Sequence, residues 1–495
     1  MSDARIDVTT TAGVVRGIQR DGSAAFLGIP FAEPPVGDLR FAAPVAHRRW
    51  NGVLDATRYG ATPQRKALAE ITLIPEPSIA GTSTLNVNVF TPAPGRTDAA
   101  LPVLVWIHGG GFVAGSPASP WYDGAAFSRD GIVTVSVSYR LGFDGFGWIE
   151  DAPHNRGIRD WILALEWVRD NIARFGGDPR RVTIAGQSAG GGAVLSLLAV
   201  PSASALFHRV ISISGATSDL PLAASEDAGR ALAAAGGVLP TRTGLSTLDE
   251  KEILRLQAAV APMGGDSSGD PLDGIVALAA GGLIWGPVVD GDLLPEPVAV
   301  AIANGVGADK QLVLGATDNE FNMALAPGAA PLEAVDPALV LGRMGLPEET
   351  VAGYIAMHDT LGTAGVLGQF VTDRMFRAPA LAIARERIRH DAPTWLYRFA
   401  WPSPTMGGAC HCLDVPFFFD SLAADRVDVI AGSAPPQELA DTVHGAAVQF
   451  IATGDPGWTA FDDADESARV FDLPSEDVAH GYADAAALLP VDERA

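Results

Sequence analysis

Gly186-Gln187-Ser188-Ala189-Gly190 is the stretch that decides the reading of this chain. An apolar run, Arg181-Val182-Thr183-Ile184-Ala185, leads into it, and Gly191-Gly192-Ala193-Val194-Leu195-Ser196-Leu197-Leu198, a run with helical character, follows it. Strand, tight turn, helix is the context in which a G-x-S-x-G sequence becomes a nucleophile elbow. The serine then stands at the tip of a turn too tight for flanking side chains, with its hydroxyl exposed and a helix N-terminus beneath it.

The pattern alone decides nothing, because the chain contains it twice. Gly265-Asp266-Ser267-Ser268-Gly269 also matches, but it sits between Met263-Gly264 and Asp270-Pro271 with no strand before it and no helix after it. Its turn chemistry reads as a surface loop. Ser188 is the copy that passes the context test, and it points to acyl transfer through a serine nucleophile.

Moving outward, Val103–Ile107 and Ile132–Ser138 are continuous apolar or β-branched runs, as buried parallel strands require. Between Asp160 and Phe175 the apolar positions Trp161, Leu163, Leu165, Trp167, Val168 and Ile172 fit an amphipathic helix, which Gly176-Gly177-Asp178-Pro179 stops. The order is β-α-β, so the fold class is α/β: an α/β-hydrolase fold, with a central, mostly parallel sheet flanked by helices. Strand character returns at Leu312–Leu314 and Thr394–Phe399, each followed by a loop. Residues 219–282 and 331–389 mix Ala-rich helical segments with polar loops. They read as helical insertions that cover the sheet and shape a pocket within one domain spanning 1–495.

A serine hydroxyl needs a base, an orienting acid and donors for the oxyanion. His108-Gly109-Gly110-Gly111-Phe112 directly follows the strand ending at Ile107, so the N–H groups of Gly110 and Gly111, with that of Ala189, are the expected donors. The base should follow the serine in chain order. His208 lies too near the elbow, His358 and His390 fall in polar helical stretches, His444 reads as a helix-surface residue, and His480 sits close to the C-terminus. His411 follows a strand and a Pro/Gly-rich loop, Trp401–Gly408, where such a base belongs. The acid should lie between them. Gly315-Ala316-Thr317-Asp318-Asn319-Glu320 follows a strand, and spacing leaves Asp318 and Glu320 nearly equal; Asp290 looks like a turn aspartate.

Composition narrows the function classes. Among 495 residues, 48% are hydrophobic and 19% charged, enough for a large core and against disorder. The formal charge of −24 disfavours nucleic acid and anionic membranes as partners. No run approaches a transmembrane length, and the first residues lack the basic flank and apolar core of a secretory signal, so a cytoplasmic protein is expected. Cys410 and Cys412 flank His411, but no further ligand follows at metal spacing. Neither a metal nor a cofactor is expected; the expected partner is a small ester, bound by a monomer or small homo-oligomer.

Together these residues resemble the type-B carboxylesterase family, which includes cholinesterases and bacterial p-nitrobenzyl esterases. The likeness spans nearly the whole chain: Gly28–Phe41, Asn88-Val89-Phe90-Thr91-Pro92, Tyr139-Arg140-Leu141-Gly142, Asn171-Ile172 with Phe175–Pro179, and Gly454-Asp455-Pro456. It implies a serine carboxylesterase with catalytic Ser188, Glu320 and His411, and with Ser214 supporting the acid from behind. It also exposes departures. Gln187 stands where the family usually has glutamate, which removes a negative charge near the imidazolium. Thr82-Ser83-Thr84 replaces an acidic stretch, so Arg40 needs another partner. Asn319 and Phe321 flank Glu320 where Asp and Gly are common.

Overall fold

The structure, a computed structural model, describes residues 4–63, 73–215, 217, 219–260, 283–325, 332–333 and 335–489. The N-terminal strands β1 (Arg5–Thr9), β2 (Val14–Arg20) and β3 (Ser23–Pro30) pair antiparallel, with β4 (Val53–Asp55) alongside β2 and β5 (Asn86–Thr91) beyond β3. The body of the sheet is built from β6 (Leu101–Ile107), β7 (Val133–Val137), β8 (Gly177–Gln187) and β9 (Arg209–Ile213). β10 (Leu220–Pro221) and β11 (Val288–Val289) make a separate ladder, and β12 (Gln311–Thr317), β13 (Thr394–Phe399), β14 (Ala468–Phe471) and β15 (Glu476–Val478) complete the main sheet. Across it the order is β1-β2-β3-β5-β7-β6-β8-β9-β12-β13-β14-β15. Every pairing from β7 through β14 is parallel.

The central strands are apolar throughout because both faces of the sheet are covered. Alternate residues feed two separate cores. Val103, Val105 and Ile107 of β6 join one with Leu312 and Leu314 of β12, while Leu104 and Trp106 join the other with Val313, Trp395 and Tyr397. On the first face lie α1 (Arg156–Asn171) and α2 (Ala189–Leu198). Helical content of the middle region comes from α3 (Leu222–Ala235) and α4 (Glu250–Val260), then from α5 (Thr363–Thr372), a π-helical turn over Asp373–Arg377, and α6 (Ala378–Ile388). Against the second face packs α7 (Gln437–Thr453). Residues 261–282, with the second G-x-S-x-G sequence at Ser267, lie outside the described residues.

One boundary differs from the sequence reading. Gly176 ends the helical segment in the left-handed region at φ 87°, but Gly177, Asp178 and Pro179 already belong to β8. Asp178 accepts from the backbone N–H of Arg180, and Gly177 pairs with Leu101 before a register shift, so an irregular strand start replaces the expected loop.

This topology locates the site. The chain leaves β6 for β7 on one side, then crosses to β8 on the other. In open parallel sheets the crevice outside the carboxyl ends at such a reversal is where ligands bind. His108–Gly111 follows the carboxyl end of β6 and Ser188 that of β8. The candidate acids follow β12, and His411 follows β13. Because all four strands are parallel, these loops emerge on one edge of the sheet.

Candidate active site

Ser188 links β8 to α2 at φ 57° and ψ −124°, a conformation that L-residues rarely hold without surrounding constraint. The constraint is visible: its N–H donates to Ile213 O at 2.9 Å, and its carbonyl accepts from Gly192 N–H at 2.9 Å. A β-carbon at Gly186 would lie 2.3 Å from Gly190 O, and one at Gly190 would lie 2.0 Å from Ile107 O. Side chains at either glycine would force β8, α2 and β6 apart. Ser188 is half-buried amid fully buried neighbours, so its hydroxyl is presented rather than packed away.

Next to the elbow, Gly110 (φ 111°) and Gly111 (φ 59°) turn the chain after β6. Gly110 O accepts from the N–H groups of Val113 and Ala114. Among the described residues no group accepts from the N–H of Gly110 or Gly111, and the N–H of Ala189 is the first of α2, which has no intrahelical acceptor. Beneath this loop His108 is buried, its Nδ1 meets Gly109 O at 2.8 Å, and burial lowers its pKa to about 4. His108 is therefore neutral at ordinary pH.

The loops after β12 and β13 are stitched together. Asn319 N–H donates to Ala409 O (3.0 Å), Ala409 N–H to Asn319 Oδ1 (3.1 Å), and His411 N–H to Glu320 O (2.9 Å). The result places the buried Glu320 carboxylate on Nδ1 of His411, while its other oxygen accepts from Thr317 N–H at 2.8 Å. Asp318 points elsewhere, in a two-point pair with Arg398 at 2.9 and 2.8 Å. Asp290 serves a turn, accepting from the N–H groups of Asp292 and Leu294. Of the three acids weighed by spacing, geometry brings Glu320 alone to His411.

Burial opposes the charged form of His411, while the Glu320 carboxylate on Nδ1 favours it and raises its pKa. Behind this pair Asp414 is buried, receives the Tyr397 hydroxyl at 3.1 Å, and is pushed up to about 7 by burial and by the charge of Glu320. Three of the other histidines weighed as the base are engaged elsewhere. His390 contacts Ala303 O, and His208 Nδ1 accepts from Val182 N–H. His444 corrects the sequence reading: it is buried rather than at the surface, held between Phe418 O (2.8 Å) and Asp130 (3.0 Å).

Ser214 is buried at the end of β9, and its recorded contact with the acid-bearing strand is through its backbone, which donates to Gly315 O at 2.8 Å. Arg40 finds its replacement partners in Leu248 O (2.7 Å) and Asp144 (3.6 Å), with its guanidinium over the Phe41 ring. Cys410 and Cys412 are free and buried. Among the described residues no cluster of three His, Cys, Asp or Glu side chains is placed to hold a metal ion.

Several contacts go beyond the sequence reading, which marked Phe321 and Asn319 only as departures from the family pattern. The Phe321 ring stacks on His411 with centroids 4.9 Å apart, and Phe376 approaches the same imidazole at 5.4 Å. Phe376 belongs to the π-helical turn, a form that recurs at functional sites. Asp373 and Asp484 grip Arg377 at 2.6 and 2.8 Å, and Gln369 ties Asp373 to the Asp318 carbonyl at 3.0 Å. Gln369 also accepts from Asn319 at 3.1 Å, so the residue that departs from the family pattern carries the acid loop's tether.

Likeness to known proteins assigns the family. The carboxylesterase family model matches residues 4–337 and 350–481. The chain belongs to the carboxylesterase family and is a carboxylic ester hydrolase. It is 34% identical over 489 residues to the para-nitrobenzyl esterase of Bacillus subtilis, covering 94% of each chain. It is 33% identical to the phenmedipham hydrolase of Pseudarthrobacter oxydans over 90% of each. A carboxylesterase structure from Geobacillus stearothermophilus superimposes with a TM-score of 0.84 at 30% identity, over 98% of this chain and all of that one. Among the described residues of this carboxylesterase, no helix is long and apolar enough to cross a membrane.

Proposed function

We propose that this carboxylesterase works through an acyl-enzyme on Ser188, with His411 as general base and Glu320 as its orienting acid. The observation that carries the reading is the Glu320 carboxylate on Nδ1 of His411, on the same sheet edge as the strained Ser188 elbow. With Nδ1 carrying the proton toward Glu320, Nε2 is left basic. Nε2 takes the Ser188 proton as Oγ attacks the ester carbonyl, and Glu320 stabilises the imidazolium. The carbonyl oxygen becomes an oxyanion held by the N–H groups of Gly110, Gly111 and Ala189. The imidazolium returns its proton to the departing alcohol. Water, deprotonated in turn by Nε2, then attacks the acyl carbonyl and frees the acid and Ser188. The two helical stretches fit as the covering of a single catalytic unit, since Phe376 of the second reaches the imidazole itself.

Replacing Gly110 by alanine tests the oxyanion donors. A β-carbon there would lie 2.3 Å from Ala114 O at a φ of 111°, so the loop must shift and carry its N–H away. A loss of about 10²–10³ in kcat is expected; unchanged kcat would remove Gly110 from the proposed donors.

The same groups serve other acyl derivatives, and likeness to a phenmedipham hydrolase favours widening the test. Turnover is to be compared on esters, anilides and carbamates that share an acyl group, with phenmedipham and p-nitrobenzyl esters included. Esters are expected to be fastest, and faster turnover of a carbamate or anilide would change the substrate class.

A further inference from the structure

Phe321, the residue after the orienting acid, lays its ring on the His411 imidazole, with centroids 4.9 Å apart and planes 26° from parallel. Phe321 is half-buried, and its N–H donates to Thr372 Oγ1 at 3.4 Å, which ties it to the end of α5. Phe376, buried in the π-helical turn, approaches both rings, 5.7 Å from Phe321 and 5.4 Å from His411. The nitrogens of an imidazole make their hydrogen bonds in the ring plane. A partner on the ring face therefore leaves Nδ1 to Glu320 and Nε2 to Ser188 and the leaving alcohol. We infer that Phe321 is a positioning residue for the base: its ring holds the plane of the imidazole and stabilises the imidazolium that forms when Ser188 attacks. The inference rests on the reading of His411 as the base.

The chemistry follows from the charge distribution of an aromatic ring. Its face is negative and its edge positive, so a cation over the face within about 6 Å is attracted, whereas a neutral ring gains little from the same charge. The imidazole is neutral in the resting enzyme and charged in the transition state. A contact that strengthens between those two states is the kind that accelerates the chemical step. Burial adds to it, because His411, Glu320 and Phe376 are all buried, and such contacts gain when desolvated. Glycine, common in the family at this position, offers no such face.

The groups around His411 define the background for a pH test. Glu320 lies on Nδ1, and Gln187 brings an uncharged amide. Cys412 and Asp414 follow in the chain, both buried, with Asp414 pushed up to about 7. On the π-helical turn Asp373 and Arg377 hold each other, and Arg374 is exposed. None of these changes on substitution at Phe321, so a difference between profiles belongs to the ring. Phe321→Leu keeps apolar bulk and removes the face. On the alkaline plateau of kcat/KM the resting imidazole is neutral, so the lost contact is felt in the transition state alone, and a fall of about three- to thirtyfold is expected. The charged resting enzyme loses the same contact, so the acid limb should move to lower pH by about half a unit or more. Below both limbs the resting enzyme and the transition state carry the same charge, the two losses cancel, and variant and wild type should converge. A merely structural defect would lower the rate at every pH and leave the limb in place.

The measurement is a kcat/KM profile from pH 5 to 10 on p-nitrophenyl acetate for the wild type, for Phe321→Leu and for the protein carrying pentafluorophenylalanine at position 321, with His411→Ala alongside. Fluorination reverses the charge of the ring face and keeps its shape, so this protein decides the question should leucine disturb the loop. A lowered plateau and a lowered acid limb in the fluorinated protein support the inference. An unmoved limb or a full plateau rate in that protein overturns it. Near-wild-type turnover in His411→Ala would instead overturn the underlying reading of the base.

Discussion

Replacing Ser188 by alanine is expected to lower kcat/KM on p-nitrophenyl butyrate by about 10⁴-fold or more while leaving the fold intact. The substitution removes one oxygen from a half-buried position. The bonds that hold the elbow, from Ser188 N–H to Ile213 O and from Gly192 N–H to Ser188 O, are backbone bonds that alanine keeps. A thermal melt within a few degrees of wild type is therefore expected beside the kinetic loss, so that the loss belongs to the chemistry. The N–H groups of Gly110, Gly111 and Ala189 remain, and as the proposed oxyanion donors they are expected to set the residual rate. Turnover by the pure variant near the wild-type rate would dismiss Ser188 as nucleophile.

The second large effect separates two carboxylates only two residues apart. Glu320→Gln should lower kcat by about 10⁴-fold, because an amide on Nδ1 of His411 no longer fixes the tautomer or balances the imidazolium. Asp318→Asn breaks the two-point pair with Arg398 and should appear mainly in stability, at about 1–3 kcal/mol, with kcat changed less than tenfold. Steady-state kinetics and denaturant melts on both variants check the contrast. If Asp318→Asn were the inactive variant, the acid would be reassigned.

The legible parts of the molecule were those with a local backbone requirement. The elbow needs glycine at Gly186 and Gly190 for clearance, and a buried parallel strand needs an unbroken apolar run such as β6, so both are written in short stretches. The base could be narrowed by its place after β13. The acid could not be chosen by spacing, because beyond the end of β12 the alternation that assigns faces no longer applies. Family resemblance favoured Glu320, and the stitching of two loops through Asn319, Ala409 and His411 brings it to the imidazole. Phe376 was hidden for a related reason. A π-helical turn shifts the 3.6-residue period, and its approach to His411 is set by the grip of Asp373 and Asp484 on Arg377. His444 misled because its burial depends on Phe418 and on Asp130, which lies more than 300 positions away.

Gln187 shows the same limit at the centre of the site. Family resemblance marks it as a lost negative charge; the structure sets its side-chain amide nitrogen 3.2 Å from Nε2 of His411.

The most direct measurement is covalent capture. The intact enzyme is treated with a fluorophosphonate at neutral pH, digested and mapped by mass spectrometry, with esterase activity followed in parallel. One adduct on Ser188, formed in step with loss of activity and strongly slowed in His411→Ala, is the expected result. Complete inactivation with Ser188 unmodified, or with the adduct on Ser267, would contradict the assignment of Ser188 as the nucleophile.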